Sequence, residues 1–213
     1  MTNENKIINE DELVHEFEVD DQFEIIPPDG NLAYISVWDN VLDDAYCDKL
    51  VDLFNQVEYA HTKVSMQDAK NYTELNFFAQ DLGKSFEEES IFLLGKVSEY
   101  VESYRRHNNI MFFPPQCQNE EIKMKKYVAG STDDIKYHTD VGNHATARRF
   151  LTCQFYLTTA EEGGQTVFPD YNTSIEPKKG RLAIFPPLWT HPFTEQPVVS
   201  NDKYTVGTFL HYM

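Results

Sequence analysis

The fold is decided by six short runs: IKMKKYV (122–128), IKYHTDV (135–141), RFLTCQFYL (149–157), QTVFP (165–169), RLAIFPP (181–187) and KYTVGTFLHYM (203–213). Each run is rich in β-branched and aromatic residues, and turns containing Gly, Asp or Pro separate one run from the next. Short strands at this spacing are typical of a β-sandwich or β-barrel. The sequence therefore predicts a β core over residues 120–213.

The first half of the chain has a different, helical texture. Asp43 precedes an apolar repeat with steps of three and four residues, which predicts a helix over about 44–57. A second such repeat predicts a helix over 89–107, with one buried face formed by Ile91, Leu94, Val97, Val101 and Tyr104. The polar residues 60–88 have no clear period and predict either a loop or short strands. We expect residues 31–119 to support the β core mainly through helices.

Length and composition limit the class of protein. The 213 residues fit one domain over 31–213, preceded by an acidic N-terminal arm over 1–30 that ends in a Pro-Pro-Asp-Gly turn. No apolar run approaches the ~20 residues that span a bilayer. The acidic N-terminus also lacks the apolar segment of a secretory signal. These features predict a soluble, cytoplasmic protein that does not enter a membrane.

The charge and the cysteines exclude further classes. Lys and Arg total 18 and Asp and Glu total 35, which gives a net charge of −17. Such a surface repels phosphate backbones, so we do not expect a nucleic-acid partner, whereas a basic substrate is permitted. Three cysteines without a C-x-x-C spacing disfavour both a disulfide framework and a Cys-based zinc site.

Two histidines and an aspartate form the candidate metal site. His138 and Asp140 are two residues apart in a strand-like run, so that their side chains share one face. His191 follows a later aromatic run and is a candidate third ligand. Two imidazoles and one carboxylate make the facial triad of non-haem Fe(II) oxygenases, which leaves coordination positions open. Zinc accepts the same ligand types, so the triad alone does not name the metal.

Lys203 lies inside an apolar run, twelve residues after His191. A buried lysine needs an anionic partner, and no acidic residue follows it in the predicted strand. The far carboxylate of a dicarboxylate cosubstrate would supply that partner, and Thr205 on the same face would add a hydrogen bond. The alternative is a lysine at a sheet edge whose ammonium group reaches water.

These pieces together resemble a known family. In order, the matching stretches are KKYVAG, YHTD, RFLTCQFYLTTAEEGGQTVFP, PKKGRLAIFPPLWTH and NDKYTVGTFLHY. The stretch from about 122 to 213 resembles the prolyl 4-hydroxylase branch of the 2-oxoglutarate/Fe(II) oxygenases. The resemblance implies an α+β protein with a double-stranded β-helix (jelly-roll, cupin-like) core in the C-terminal half and supporting N-terminal helices. Gln165 and Phe209 stand where the family often has Glu and Trp, and neither change removes a ligand.

The resemblance also implies roles for individual residues. The Fe(II) ligands would be His138, Asp140 and His191. The residues around 2-oxoglutarate would be Lys203, Tyr127, Tyr156 and Thr205. Arg149 would contact the substrate. For the two tyrosines the alternative is a place in the core, and for Arg149 it is a structural ion pair.

The activity that the resemblance implies is hydroxylation of an aliphatic C–H bond, with release of succinate and CO2. The cofactor would be Fe(II), the cosubstrates 2-oxoglutarate and O2, and ascorbate an accessory reductant. The implied substrate is a proline-containing peptide or protein, and a free amino acid or another small molecule is the alternative. A non-catalytic jelly-roll binding module with a relic metal site is the alternative from another class. Residues 60–88 and 130–136 are candidate substrate lids.

Overall fold

The computed structural model describes residues 34–66 and 70–213. The predicted acidic arm, residues 1–30, lies outside the described residues. The α-helices are α1 (Asp44–Gln56) and α2 (Glu87–His107). The strands are β1 (Ser36–Trp38), β2 (Thr62–Met66), β3 (Lys70–Asn76), β4 (Cys117–Asn119), β5 (Lys123–Tyr127), β6 (Ile135–His138), β7 (Arg149–Tyr156), β8 (Thr166–Phe168), β9 (Thr173–Ile175), β10 (Arg181–Phe185), β11 (Phe193–Glu195) and β12 (Lys203–Tyr212).

The strands pair antiparallel, in the order β1-β10-β7-β12-β5-β3-β6-β11-β8-β9. In addition, β2 pairs with β3, and β4 pairs with β12. All six predicted strand runs contain a strand, so the β core lies where the sequence placed it. None of the helices in the part of the chain that the structure describes is both long enough and apolar enough to cross a bilayer.

Both predicted helices form, with one difference in the face that α2 buries. Helix α1 begins after Asp43, whose Oδ1 accepts a hydrogen bond from the backbone N–H of Tyr46 at 2.7 Å, as expected of an N-cap. Helix α2 buries Val97, which the repeat predicted, but Ile91 is 68% exposed. Leu93 is buried and Ile91 is not, so the buried face of α2 is rotated relative to the predicted one.

The first half of the chain contributes strands as well as the two predicted helices, and short strands were one of the two alternatives predicted for residues 60–88. Within the described part of residues 31–119 the structure contains four strands, and the polar stretch 60–88 holds two of them, β2 and β3. Strand β3 lies between β5 and β6 in the sheet and buries Tyr72 and Leu75. Part of the candidate lid 60–88 therefore belongs to the sheet. Strand pairing there satisfies the hydrogen bonds of its backbone N–H and C=O groups.

Strand β12 separates the core from the site. It lies between β7 and β5, and its side chains alternate between the two faces of the sheet. Tyr204 and Val206 join the hydrophobic cluster that includes residues of α1 and α2. Lys203 and Thr205 are buried as well, but project from the opposite face. The register of one strand thus directs apolar residues to the helices and polar residues to the site.

Gly180 is a position where a side chain should be costly. Its φ is +79°, and a Cβ there would lie 2.3 Å from the carbonyl oxygen of Leu42. We expect Gly180→Ala to lower the free energy of unfolding by about 2–3 kcal/mol, measured by urea denaturation. At Gly95, inside α2, an added Cβ would meet no atom within 4 Å, so Gly95→Ala should instead raise stability by about 0.5–1 kcal/mol. Equal midpoints for the two variants would contradict this expectation.

Candidate active site

His138 is held in the orientation of a metal ligand. Its Nδ1 lies 2.8 Å from the carbonyl oxygen of Lys136 and 3.1 Å from that of Phe193. Carbonyl oxygens only accept hydrogen bonds, so Nδ1 carries the proton in the neutral ring. The lone pair is then on Nε2, which is buried and makes no hydrogen bond. The strand pair β6–β11 fixes this arrangement, because Phe193 lies directly opposite His138.

Asp140 faces the same point as His138. Strand β6 ends at His138, so Asp140 lies in the loop that follows rather than in the strand. Its Oδ1 nevertheless lies 3.5 Å from Nε2 of His138, and its Oδ2 accepts a hydrogen bond from Thr152 at 3.4 Å. An imidazole nitrogen and a carboxylate oxygen that face one another at this distance are a donor set that fits a metal cation.

His191 is buried near the same end of the sheet. It lies two residues before Phe193, and its ring stacks on Tyr171 with centroids 5.0 Å apart. Its Nδ1 is 2.8 Å from Oγ1 of Thr190. Among residues 34–66 and 70–213, however, no group of three or more His, Cys, Asp or Glu side chains is arranged to hold a metal ion. The structure therefore brings two predicted ligands together, and the three-residue set stays a prediction.

A cavity of about 610 Å³ opens beside this pair. Asp140 lines it, together with Thr152 and Gln154 of β7, Thr205 of β12 and Lys125 of β5. The cavity is large enough for a small organic acid, since ligand pockets are typically about 300–1,000 Å³. The predicted metal ligand Asp140 and the predicted cosubstrate residue Thr205 thus line one cavity.

Lys203 is buried, as predicted, but its anionic partner is an acidic residue that the sequence did not indicate. Its Nζ donates to Oε2 of Glu195 at 2.6 Å and to the carbonyl oxygen of Gly164 at 2.8 Å. The ammonium group also lies 4.2 Å from the ring centroid of Tyr127. The burial of Lys203 therefore does not by itself imply a bound dicarboxylate. The role of Lys203 toward 2-oxoglutarate stays a prediction.

Glu195 is ionised within a set of donors. Its carboxylate accepts hydrogen bonds at 3.0 Å from Nε2 of Gln154 and from Oγ1 of Thr166, in addition to Lys203. Burial by itself would raise the pKa of Glu195, but the charge of Lys203 and these hydrogen bonds outweigh it and hold the pKa below its usual range. Burial also lowers the pKa of Lys203, and the Glu195 carboxylate opposes that shift.

The two predicted tyrosines differ in what they offer. Tyr127 is fully buried, yet its hydroxyl has no hydrogen-bond partner among the described residues. Burial raises its pKa well above the usual value, so the hydroxyl stays a neutral donor. The hydroxyl of Tyr156 is 2.6 Å from Oγ1 of Thr166 and is thus part of the Glu195 network. Of the two, Tyr127 is therefore the one with an unused donor for a ligand.

Arg149 lines the cavity but is heavily engaged. Its Nε and Nη2 each donate to the Glu120 carboxylate at 2.7 Å, and its Nη1 donates to the backbone carbonyl of Asp140 at 3.0 Å. The guanidinium also lies 4.0 Å from the ring centroid of Phe209. This geometry favours the structural alternative, in which Arg149 holds the loop that carries Asp140. Its contact with a substrate stays a prediction.

The sequence did not single out two charged residues of the site, Glu195 and Lys125. Glu195 lies in the three-residue strand β11, which has no pattern of its own, so its pairing with Lys203 is visible only in the folded chain. The position of Lys125 on the same strand face as Tyr127 could have been predicted from the sequence. Lys125 is two residues before Tyr127 and so shares its strand face, while Met124 points into the hydrophobic core.

The comparisons with known proteins agree with the motifs. Residues 122–211 match the model of the 2OG-Fe(II) oxygenase superfamily. No curated protein matches the chain in sequence. The family implies Fe(II) and 2-oxoglutarate, with O2 as a cosubstrate.

Several solved structures share the fold at low sequence identity. A viral collagen prolyl hydroxylase from Paramecium bursaria Chlorella virus-1, solved with 2OG, has a TM-score of 0.64 and 20% identity, over 87% of this chain and 99% of that one. A Trichoplax adhaerens prolyl hydroxylase in complex with a hypoxia inducible factor peptide has a TM-score of 0.62 and 16% identity, over 85% of this chain and 84% of that one. A Pseudomonas putida prolyl-4-hydroxylase has a TM-score of 0.58 and 12% identity, over 85% and 94%. Residues 122–211 thus match the 2OG-Fe(II) oxygenase superfamily in sequence, and the likeness to these solved structures confirms the predicted α+β jelly-roll architecture.

Proposed function

We propose that this protein is a 2-oxoglutarate- and Fe(II)-dependent dioxygenase that hydroxylates a prolyl residue in a peptide or protein. The observation that carries the proposal is the pair His138 and Asp140, 3.5 Å apart beside the cavity and inside the stretch that matches the family. When bound there, Fe(II) with 2-oxoglutarate and O2 supplies the oxidation, which yields succinate, CO2 and a hydroxylated product.

The chain's own residues would hold and orient the reactants. His138 would ligate through Nε2, because the carbonyls of Lys136 and Phe193 hold its Nδ1–H. Asp140 and His191 would complete the ligand set, with Nδ1 of His191 engaged by Thr190. The unpartnered hydroxyl of Tyr127 would donate to a carboxylate of 2-oxoglutarate. The hydrogen bond from Arg149 to the backbone of Asp140 would keep the ligand loop in place.

An exposed aromatic side chain supports a proline-containing substrate. Trp189 is 81% exposed and lies two residues before His191. Aromatic surfaces bind proline rings and the extended conformation of proline-rich peptides. The net charge of −17 suits a neutral or basic peptide. We also expect the protein to act without a nucleic-acid or membrane partner.

The first test is anaerobic and needs no substrate. Adding Fe(II) and then 2-oxoglutarate to the metal-free protein should produce the visible charge-transfer absorption of the chelate. His191→Ala should lose the band if His191 is a ligand. Proline-containing peptides would then be screened for succinate formation with ascorbate present, and free amino acids would be screened in parallel. A folded, iron-loaded protein without the band would favour a non-catalytic binding module or another metal.

A further inference from the structure

Lys203, which the resemblance assigns to the far carboxylate of 2-oxoglutarate, already binds the carboxylate of Glu195. Glu195 lies 2.6 Å from Nζ of Lys203 and also accepts from Gln154 and Thr166. Both members of the ion pair are essentially inaccessible, with side chains that are 0% and 1% exposed. The two charges cancel, so a second carboxylate at Lys203 would meet the negative charge of Glu195 at close range.

Lys125 is a cation of the same region without such a partner. It lies on β5 directly opposite Thr205 of β12, and both residues line the cavity together with Asp140. Its ammonium group lies 5.1 Å from the ring centroid of Tyr72. It makes no hydrogen bond or ion pair with any residue in the described ranges, and the nearby Glu74 binds Lys123 at 2.9 Å instead.

The surroundings of Lys125 keep it charged. Burial would lower its pKa, but Tyr72, Asp140, Glu195 and Glu74 together raise it above the usual value. A charged lysine beside a cavity has lost water contacts and gains most from an anionic ligand. The same ammonium group also lies near enough to Glu195 and Lys203 for their charges to interact.

We propose that Lys125 receives the far carboxylate of 2-oxoglutarate, and that Lys203 instead holds Glu195 in place. This assignment rests on the proposed function and names the residue that recognises the cosubstrate. Thr205, opposite Lys125, would add a hydrogen bond to the same carboxylate. Lys125 would thereby distinguish 2-oxoglutarate from 2-oxo acids that lack a second carboxylate.

The test compares two ligands that differ only at the far end. Anaerobic Fe(II)-protein is titrated with 2-oxoglutarate and with 2-oxovalerate, and the charge-transfer band reports each dissociation constant. Lys125→Gln should weaken 2-oxoglutarate binding by about 10- to 100-fold and leave 2-oxovalerate within about twofold, because one charge-assisted contact is lost. Lys126→Gln is the matched control, since that lysine pairs with Asp202 at 3.0 Å. It should change neither constant.

A second variant separates Lys125 from Lys203. Lys203→Met combined with Glu195→Gln removes the ion pair without leaving a buried charge, and its preference for 2-oxoglutarate should survive. If this double variant loses the preference while Lys125→Gln keeps it, Lys203 is the anchor and our assignment is wrong. A wild-type protein that binds neither acid would overturn the proposed function, and the assignment with it.

Discussion

Replacing His138 with alanine should reduce succinate formation by more than about 100-fold, because the loss of even an outer-shell partner of a metal ligand costs about 10- to 100-fold. The variant removes the buried Nε2 that faces Asp140. Bound iron, measured by elemental analysis after dialysis, should fall with the activity. The readouts are thus turnover and metal content together.

The control for this change is a histidine far from the site. His107 ends α2 and is exposed, so His107→Ala should keep both iron and turnover. Thermal denaturation of both variants would show that each is folded. Turnover by folded His138→Ala at the wild-type rate would remove His138 from the ligand set and would contradict the proposed function.

Lys203→Met should be strongly destabilising, by about 3–5 kcal/mol in the free energy of unfolding, because it leaves the Glu195 carboxylate buried without its cation. Glu195 would keep the hydrogen bonds from Gln154 and Thr166 but lose the 2.6 Å contact with Lys203. Urea denaturation at neutral pH measures the effect as a lower midpoint with an unchanged slope.

The second half of this prediction is rescue. Adding Glu195→Gln to Lys203→Met removes the uncompensated charge, while the glutamine can still bond to its polar neighbours. Replacing a buried ion pair by uncharged residues of similar size is often neutral in stability. We therefore expect the double variant to recover most of the loss. A double variant as unstable as Lys203→Met would show that the ion pair does not explain the effect.

The parts of the fold with strong local patterns were predictable. The helix after Asp43 and the six long or aromatic strand runs carry their own periodicity. Strands β9 and β11 have three residues each, which is too short for a pattern. The polar hairpin β2–β3 has a sequence that fits a loop as well as strands, because its place beside β5 comes from pairing with residues about fifty positions later in the chain.

In the candidate site, too, contacts within one short run of sequence were predictable, whereas contacts between distant strands were not. The approach of His138 and Asp140 follows from their two-residue spacing, although β6 ends at His138. The partner of Lys203 could not be found in its own strand, which contains no acidic residue, because Glu195 lies eight residues earlier in β11. Charge pairs between strands depend on tertiary packing, and a single sequence carries little information about them.

Because side chains alternate along β12, the same strand register positions both the hydrophobic core and the residues proposed for the site. Tyr204 and Val206 pack toward the helices while Lys203 and Thr205 lie on the cavity side, so a shift of one residue would exchange the two sets. An insertion or deletion within this strand would thus disrupt the core and the proposed cosubstrate site together. We therefore expect changes in chain length to be tolerated in the surrounding loops rather than within β12.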